Sequence, residues 1–385
     1  MLENLSIVCF AHDWHGDPTS KTHIMRILAR RNRVLWVNSI GMRRPRASSS
    51  DFGRLAAKLR QGLSPCREVE RNLFVAHPLV LPFPGLAAVD SLNARLLTSR
   101  LRSALRRHGF GRPVIWSFLP TMSRLLGRLG ESMVIYHCVD EYAAFSGVPR
   151  EALVRMEKEV ARRADVVLTS SEQLCLEKRR DNENTHFVPH GVDVEHFGRA
   201  LDPLTRVPED IRWLPRPVIG FFGLLADWVD LDLILSLARA RRGWSFALIG
   251  KATTDVSRLR GEPNVFLLGQ KPYDALPGYC RGIDVGIIPF RLNDLTLRAN
   301  PLKLREYLAA GLPVVATPLP EVRRFHESVR LAYGLEGFLE GIEAALDDRS
   351  EEAMRRRALL MQVEGWEARV AQISELIGRR MGKAA

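Results

Sequence analysis

Short runs of β-branched and aromatic residues alternate along this chain with longer stretches whose apolar positions recur every three or four residues. The runs predict strands and the longer stretches predict amphipathic helices. In the first half, strands are expected at 5–11, 34–40, 72–78, 113–119, 133–139, 166–171 and 185–191, with helices at 20–31, 92–109 and 150–164. Ser20 stands at the expected cap of the first helix, whose basic end suits the helix dipole. The pattern lapses near 198–217, where Pro203, Pro208, Pro215 and Pro217 interrupt it, so 201–217 reads as a linker. It then resumes with strands at 218–223, 245–250, 264–269, 285–290 and 313–318 and helices at 228–242, 274–283 and 301–311. Alternation of this kind predicts an α/β protein with two doubly wound parallel sheets. Gly223, Gly250, Gly269 and Pro289 end strands and mark the carboxyl edge, where such sheets place ligands. Two such domains imply a cleft that closes on a ligand.

The 385 residues suit two domains, and 46% apolar with 26% charged residues rules out disordered or fibrous chains. No run approaches the roughly 20 apolar residues of a membrane span. The opening MLENLSIVCFAHDW lacks a basic n-region and a small-residue cleavage site, so no signal peptide is expected. Cys9, Cys66, Cys138, Cys175 and Cys280 are scattered and never form a CxxC pair, which predicts free thiols in a reducing cytoplasm.

Charge changes the picture more. Residues 1–200 hold 30 Lys and Arg against 20 Asp and Glu, whereas 201–385 hold 26 against 24. The excess peaks over 26–128, with 20 basic to 4 acidic residues. One basic half suggests a polyanion or an anionic membrane as partner. A basic amphipathic helix at 51–63 and an apolar loop at 79–89 favour the membrane surface. No zinc-finger spacing or RNP-like strand supports nucleic acid.

Four segments are more specific: VPHGVDVEHF (188–197), IGFFGLLADWVDLDLI (219–234), NVFLLGQKPYDALPGYCRGIDVGIIPF (264–290) and NPLKLREYLAAGLPVVATPLPEV (300–322). In this order and spacing they resemble the nucleotide-sugar-binding half of GT-B glycosyltransferases, the large family 4 and its relatives. The resemblance implies two Rossmann-like domains facing a cleft. An acceptor domain would span 1–200, with the final helix 365–385 packing back on it, and a donor domain 218–364. It implies a UDP- or GDP-sugar donor, with no metal and no further cofactor. Gly223, Lys251, Gln270, Arg298, Asn300, Pro301, Lys303 and Glu306 would surround that donor.

The last segment also argues for itself. A helix starting at Pro301 presents unpaired N–H groups that can hold a diphosphate. Lys303 in its first turn opposes the helix dipole, which hints at an anionic ligand. Glu306, one turn on, can accept from both ribose hydroxyls. Two departures from the family pattern stand out. Arg298 replaces the first of two glutamates normally eight positions apart, and the Arg and Lys common after the first donor-domain strand are replaced by GLLADWVD. The chain is in this respect similar to teichuronic-acid and xanthan-type glucuronosyltransferases.

In the first half, YHCVDEY (136–142) puts Asp140 and Glu141 at a strand's carboxyl edge, where a carboxylate can take the acceptor's hydroxyl proton. Asp140 is preferred and Glu141 is the reserve. His12, Asp13 and His15 on the first strand's exit loop, with His190, are acceptor-side candidates; His137 reads as a packed histidine. Asp230 and Asp232 mimic a metal-binding DxD but fall where acids cap a helix. The expectation is therefore a cytoplasmic, peripherally membrane-bound glycosyltransferase acting on a lipid-linked (polyprenyl-diphosphate) saccharide. A nucleotide-sugar epimerase and a non-catalytic partner of a polysaccharide assembly complex remain alternatives.

Overall fold

The computed structural model describes residues 1–39, 64–78 and 87–384. The segments expected at 51–63 and, up to residue 86, at 79–89 lie outside those residues. The chain forms two units, Met1–Pro189 with the segment from Val370 onward, and His190–Arg369.

The first unit is built on one sheet of eight strands: β1 (Ser6–Phe10), β2 (Arg33–Val37), β3 (Arg67–Glu70), β4 (Leu73–Ala76), β5 (Pro113–Ser117), β6 (Met133–Cys138), β7 (Val166–Thr169) and β8 (Thr185–Phe187). Their order is β3-β4-β2-β1-β5-β6-β7-β8. Near-continuous apolar runs such as VLWV and VVLT are buried along their length, as parallel strands covered on both faces must be. β3 is the exception to the parallel pattern. Its REVE sequence is exposed at all four positions and pairs antiparallel with β4 at the sheet edge. Its charges suit an edge that must not recruit another strand.

The second unit has six strands: β9 (Val218–Phe222), β10 (Ser245–Ile249), β11 (Val265–Gly269), β12 (Val285–Ile288), β13 (Val314–Ala316) and β14 (Arg330–Leu331), ordered β11-β10-β9-β12-β13-β14. Every pairing in it is parallel. Both sheets reverse strand order beside their first strand, between β1 and β5 and between β9 and β12. Ligands of open α/β sheets bind outside the strand ends at such reversals.

The proline-rich 201–217 belongs to the second unit. Ile211 is fully buried in its core, and Asp210 accepts from Lys271 (2.6 Å) and Tyr279 (2.8 Å). The final helix, Trp366–Ala384, is divided between the units. Trp366 presses on Gly191, where a Cβ would come within 2.9 Å of the indole. Val370, Ile373 and Ile377 are buried in the first unit, where Arg380 lies 3.7 Å from Asp165. The five cysteines are free thiols, four of them buried.

Candidate functional site

In the second unit, the exits of β9 and β12 and one helix converge. The helix Leu302–Ala309 is held from beneath by two side chains. Tyr307 lies flat on β12, close enough that a Cβ on Gly286 would touch its ring at 3.0 Å. Its hydroxyl accepts from Phe222 N–H at 2.9 Å. Arg305 is fully buried, donates to Asn300 Oδ1 (2.8 Å) and Glu364 (2.9 Å), and lies over the Phe325 ring. Glu364 also meets Arg369. Asn300 thus serves to seat Arg305 through its Oδ1.

The N-terminus of this helix is left open. Pro301 occupies the cap position and no side chain bonds there, nor does an acid stand in the first turn. Its leading N–H groups are therefore free to bind an anion. Lys303 stands beside that opening with its ammonium over the rings of Phe290 (4.7 Å) and Phe221 (5.2 Å). Its side chain crosses Gly223, where a Cβ would meet Lys303 Cε at 3.0 Å. Gly223 has φ +133°, and its N–H donates to Ile249 O at 2.8 Å. Gly250 packs so close that a Cβ there would lie 1.9 Å from Gly223 O, so only glycine fits.

Among the described residues, neither the Lys303 nor the Glu306 side chain makes a hydrogen bond or ion pair, yet each feels the other's charge. Burial pushes the Lys303 ammonium down and the Glu306 carboxyl up, and their mutual attraction opposes both shifts. Such a half-satisfied pair is poised for a ligand that adds charge and hydrogen bonds. Glu306 also feels Tyr273, whose ring stacks on His196 at 4.1 Å and is nearly parallel to it. Lys251 and Gln270, at the exits of β10 and β11, are exposed. Arg298 donates to Asp294 O at 2.7 Å and lies 3.7 Å from its carboxylate. His190 is buried against Trp366 at 6.1 Å.

The first unit gathers a second constellation at the exits of β1, β5 and β6. Asp140 follows β6, and among the described residues its carboxylate has no hydrogen bond. Burial pushes it up to about 6, against the pull of a nearby ammonium, Lys21. Sequence reasoning missed Lys21, the second residue of the helix Ser20–Ala29. That helix begins one residue after its cap, which is Thr19 rather than Ser20. Lys21 lies 5.8 Å from the centre of the Tyr142 ring, and burial lowers its pKa while Asp140 and Cys9 raise it. The missed signal is the one that marked Lys303, a cation in a first turn that holds no acid.

Two histidines border this group. His12 stands edge-on to Trp36 at 5.4 Å with neither ring nitrogen bonded among the described residues. Burial and Lys21 push it down to about 4. His137 stacks on Phe118 at 4.9 Å and is pushed down to about 3 by the same causes. Both are neutral at pH 7. Asp13 and His15 are exposed in the turn closed by Gly16 N–H to Asp13 O. Glu141 lies 3.9 Å from Lys178, which also binds the buried Glu157 at 2.7 Å. Asp230 caps the helix Leu231–Ala240 by accepting from Leu233 N–H, and Asp232 pairs with Arg291 and Arg258. Among the described residues, no group of three or more His, Cys, Asp or Glu could hold a metal ion.

Residues 216–348, which hold all six strands of the second unit, match the family model described as Glycosyl transferases group 1. That stretch is about a third of the chain. The chain is 28% identical over 286 residues to the Bacillus subtilis (strain 168) protein named teichuronic acid biosynthesis glycosyltransferase TuaH, covering 69% of this chain and 71% of that one. Two solved structures share its fold. Sucrose-phosphate synthase from Thermosynechococcus elongatus matches at a TM-score of 0.72 and 15% identity, over 99% of this chain and 100% of that one. The catalytic domain of starch synthase IV from Arabidopsis thaliana, solved with ADP and acarbose, matches at 0.67 and 14%, over 99% and 100%. The fold it shares with them is the GT-B fold.

Proposed function

We propose that this protein is a glycosyltransferase that takes a UDP- or GDP-sugar in its second unit and passes the sugar to a saccharide acceptor engaged by the first. The observation that carries this reading is the open helix N-terminus beside Lys303, with Glu306 one turn on. The donor diphosphate would sit on the free N–H groups and the ammonium, and the ribose hydroxyls would donate to Glu306. As transfer proceeds, an acceptor hydroxyl oxygen bonds to the anomeric carbon and the bond from that carbon to the diphosphate breaks. The nucleoside diphosphate leaves with the electron pair, its charge met by Lys303 and the helix N–H groups. The hydroxyl proton goes to Asp140, whose pKa near 6 leaves it ionised yet basic enough to act at pH 7. The chemistry asks for no metal.

The acceptor proposed is a polyprenyl-diphosphate-linked saccharide of cell-surface polysaccharide synthesis, met at an anionic membrane surface. The basic first half supports that choice, as does the likeness to a protein named for teichuronic acid biosynthesis. No helix among the described residues is long and apolar enough to cross a membrane. The test is a thermal-shift and calorimetric screen against UDP, GDP and their sugar conjugates. One nucleotide is expected to raise the melting temperature of the wild type, and that of Lys303→Ala by less at the same concentration. No response to any of them would overturn the donor site.

A further inference from the structure

The helix Ala87–Arg107 of the first unit has two unlike faces. Ala94, Leu97, Leu101 and Leu105 are buried in the core. The opposite face presents Leu92, Arg95, Leu96, Ser99, Arg102 and Arg106, all exposed and spaced three or four residues apart along about 21 Å of helix. Leu92 is 45% and Leu96 36% exposed, so two large apolar side chains stand in solvent one turn apart. From residue 91 to 107 the helix carries five arginines and no acid. The side chains of Arg95, Arg102 and Arg106 make no hydrogen bond or ion pair with any described residue. This differs from the exposed arginines of the helix Glu351–Leu360, where Arg355 pairs with Glu351 and Arg356 lies near Asp348.

We infer that this outward face of Ala87–Arg107 is the surface by which the protein lies on an anionic phospholipid bilayer. The inference rests on the membrane part of the proposed function and gives it a specific contact. Unpaired guanidinium groups meet lipid phosphates, and the two leucines enter the headgroup layer beside them. A protein partner would have to bring a complementary acidic face, whereas an anionic bilayer supplies one over any area.

The experiment is flotation of the full chain with vesicles of phosphatidylcholine alone and of phosphatidylcholine with 30 mol% phosphatidylglycerol. Wild type is expected to float with the anionic vesicles only, and less in high salt. Each surface arginine contributes about fivefold to partitioning onto an anionic leaflet, so Arg95→Ser, Arg102→Ser and Arg106→Ser together should lower it roughly a hundredfold. Leu92→Ser with Leu96→Ser should also lower it, without changing the salt dependence. A control triple with the same charge loss elsewhere, Arg258→Ser, Arg355→Ser and Arg356→Ser, should float like wild type. Unchanged thermal melting would show that the variants are folded, as expected for exposed side chains. If wild type floats and the Arg95 triple floats equally well, this surface is wrong while the membrane reading stands. If wild type ignores anionic vesicles at low salt, both fall.

Discussion

The two units repeat one motif in different surroundings. In each, a lysine is the second residue of a helix that follows the unit's reversal-point strands or their exits, with no acid in that helix's first turn. In each, burial weakens the lysine's hold on its proton and one carboxylate strengthens it, Glu306 for Lys303 and Asp140 for Lys21. The difference lies in what surrounds the pair. Lys303 and Glu306 share one helix whose N-terminus is uncapped, so N–H donors and an ammonium are offered together and suit an anion. Asp140 reaches Lys21 from a separate loop, among imidazoles kept neutral, and this arrangement suits a group that must accept a proton and give it up. On the proposed function, a cation placed against a helix dipole marks both sites, and its neighbours set one to bind charge and the other to move protons.

The sharpest way to break that comparison is to exchange the two outcomes. Asp140→Asn should cut transfer by about 10²- to 10⁴-fold, the usual weight of a general base, and leave nucleotide affinity within about twofold. Lys303→Ala should instead weaken nucleotide binding roughly tenfold to a hundredfold, the loss of a charge-assisted contact of about 1.5–3 kcal/mol. Turnover and calorimetric affinity, measured on both variants, separate the roles. Equal losses of affinity in the two would erase the distinction.

Gly223 sharpens the donor half. Its φ of +133° is rarely adopted by residues with a side chain, and a Cβ would press on Lys303 Cε at 3.0 Å. Gly223→Ala should cost about 1–3 kcal/mol of stability from backbone strain and lower nucleotide affinity by pushing Lys303 aside. Chemical denaturation and calorimetry read the two effects. A variant with native stability and affinity would show that Lys303 does not depend on this close approach.

The strands of both sheets were legible because buried parallel strands read as unbroken apolar runs, and runs such as SIVCF and SFALI have that form. β3 was not, since an exposed edge strand charged at three of its four positions looks like a loop, nor was β14, only two residues long. The helices Gly334–Leu346 and Glu351–Leu360 also went unread, although their apolar positions are periodic. Lys303 and Glu306 were readable from local position on one helix. The link from Lys21 to Asp140 was not, because it joins residues more than a hundred positions apart and depends on the strand order. Arg305 carried no sequence signal that distinguished it from its neighbours. Only burial beside Asn300 and Glu364 reveals that it anchors the helix.

The smallest expected effect tests the proton-moving half most directly. Burial raises Asp140 to about 6, and Lys21 is the group that holds it from rising further. Transfer should therefore decline as pH falls through 6, when the carboxylate takes up a proton and can no longer serve as base. In Lys21→Met the opposing charge is gone, so the raised pKa rises again and the acid limb of the pH–rate profile moves to higher pH. The other titratable groups around Lys21 do not produce that shift. His12 and His137 are already neutral above about pH 4, and burial keeps Cys9 a thiol well beyond the working range. Lys21→Arg keeps the charge and should keep the limb near 6. Nucleotide affinity should be the same in both variants, because Lys303 and Glu306 lie in the other unit. A Lys21→Met profile superimposable on the wild type would mean that Lys21 leaves Asp140 untouched, and the likeness between the two lysines would then be one of position alone.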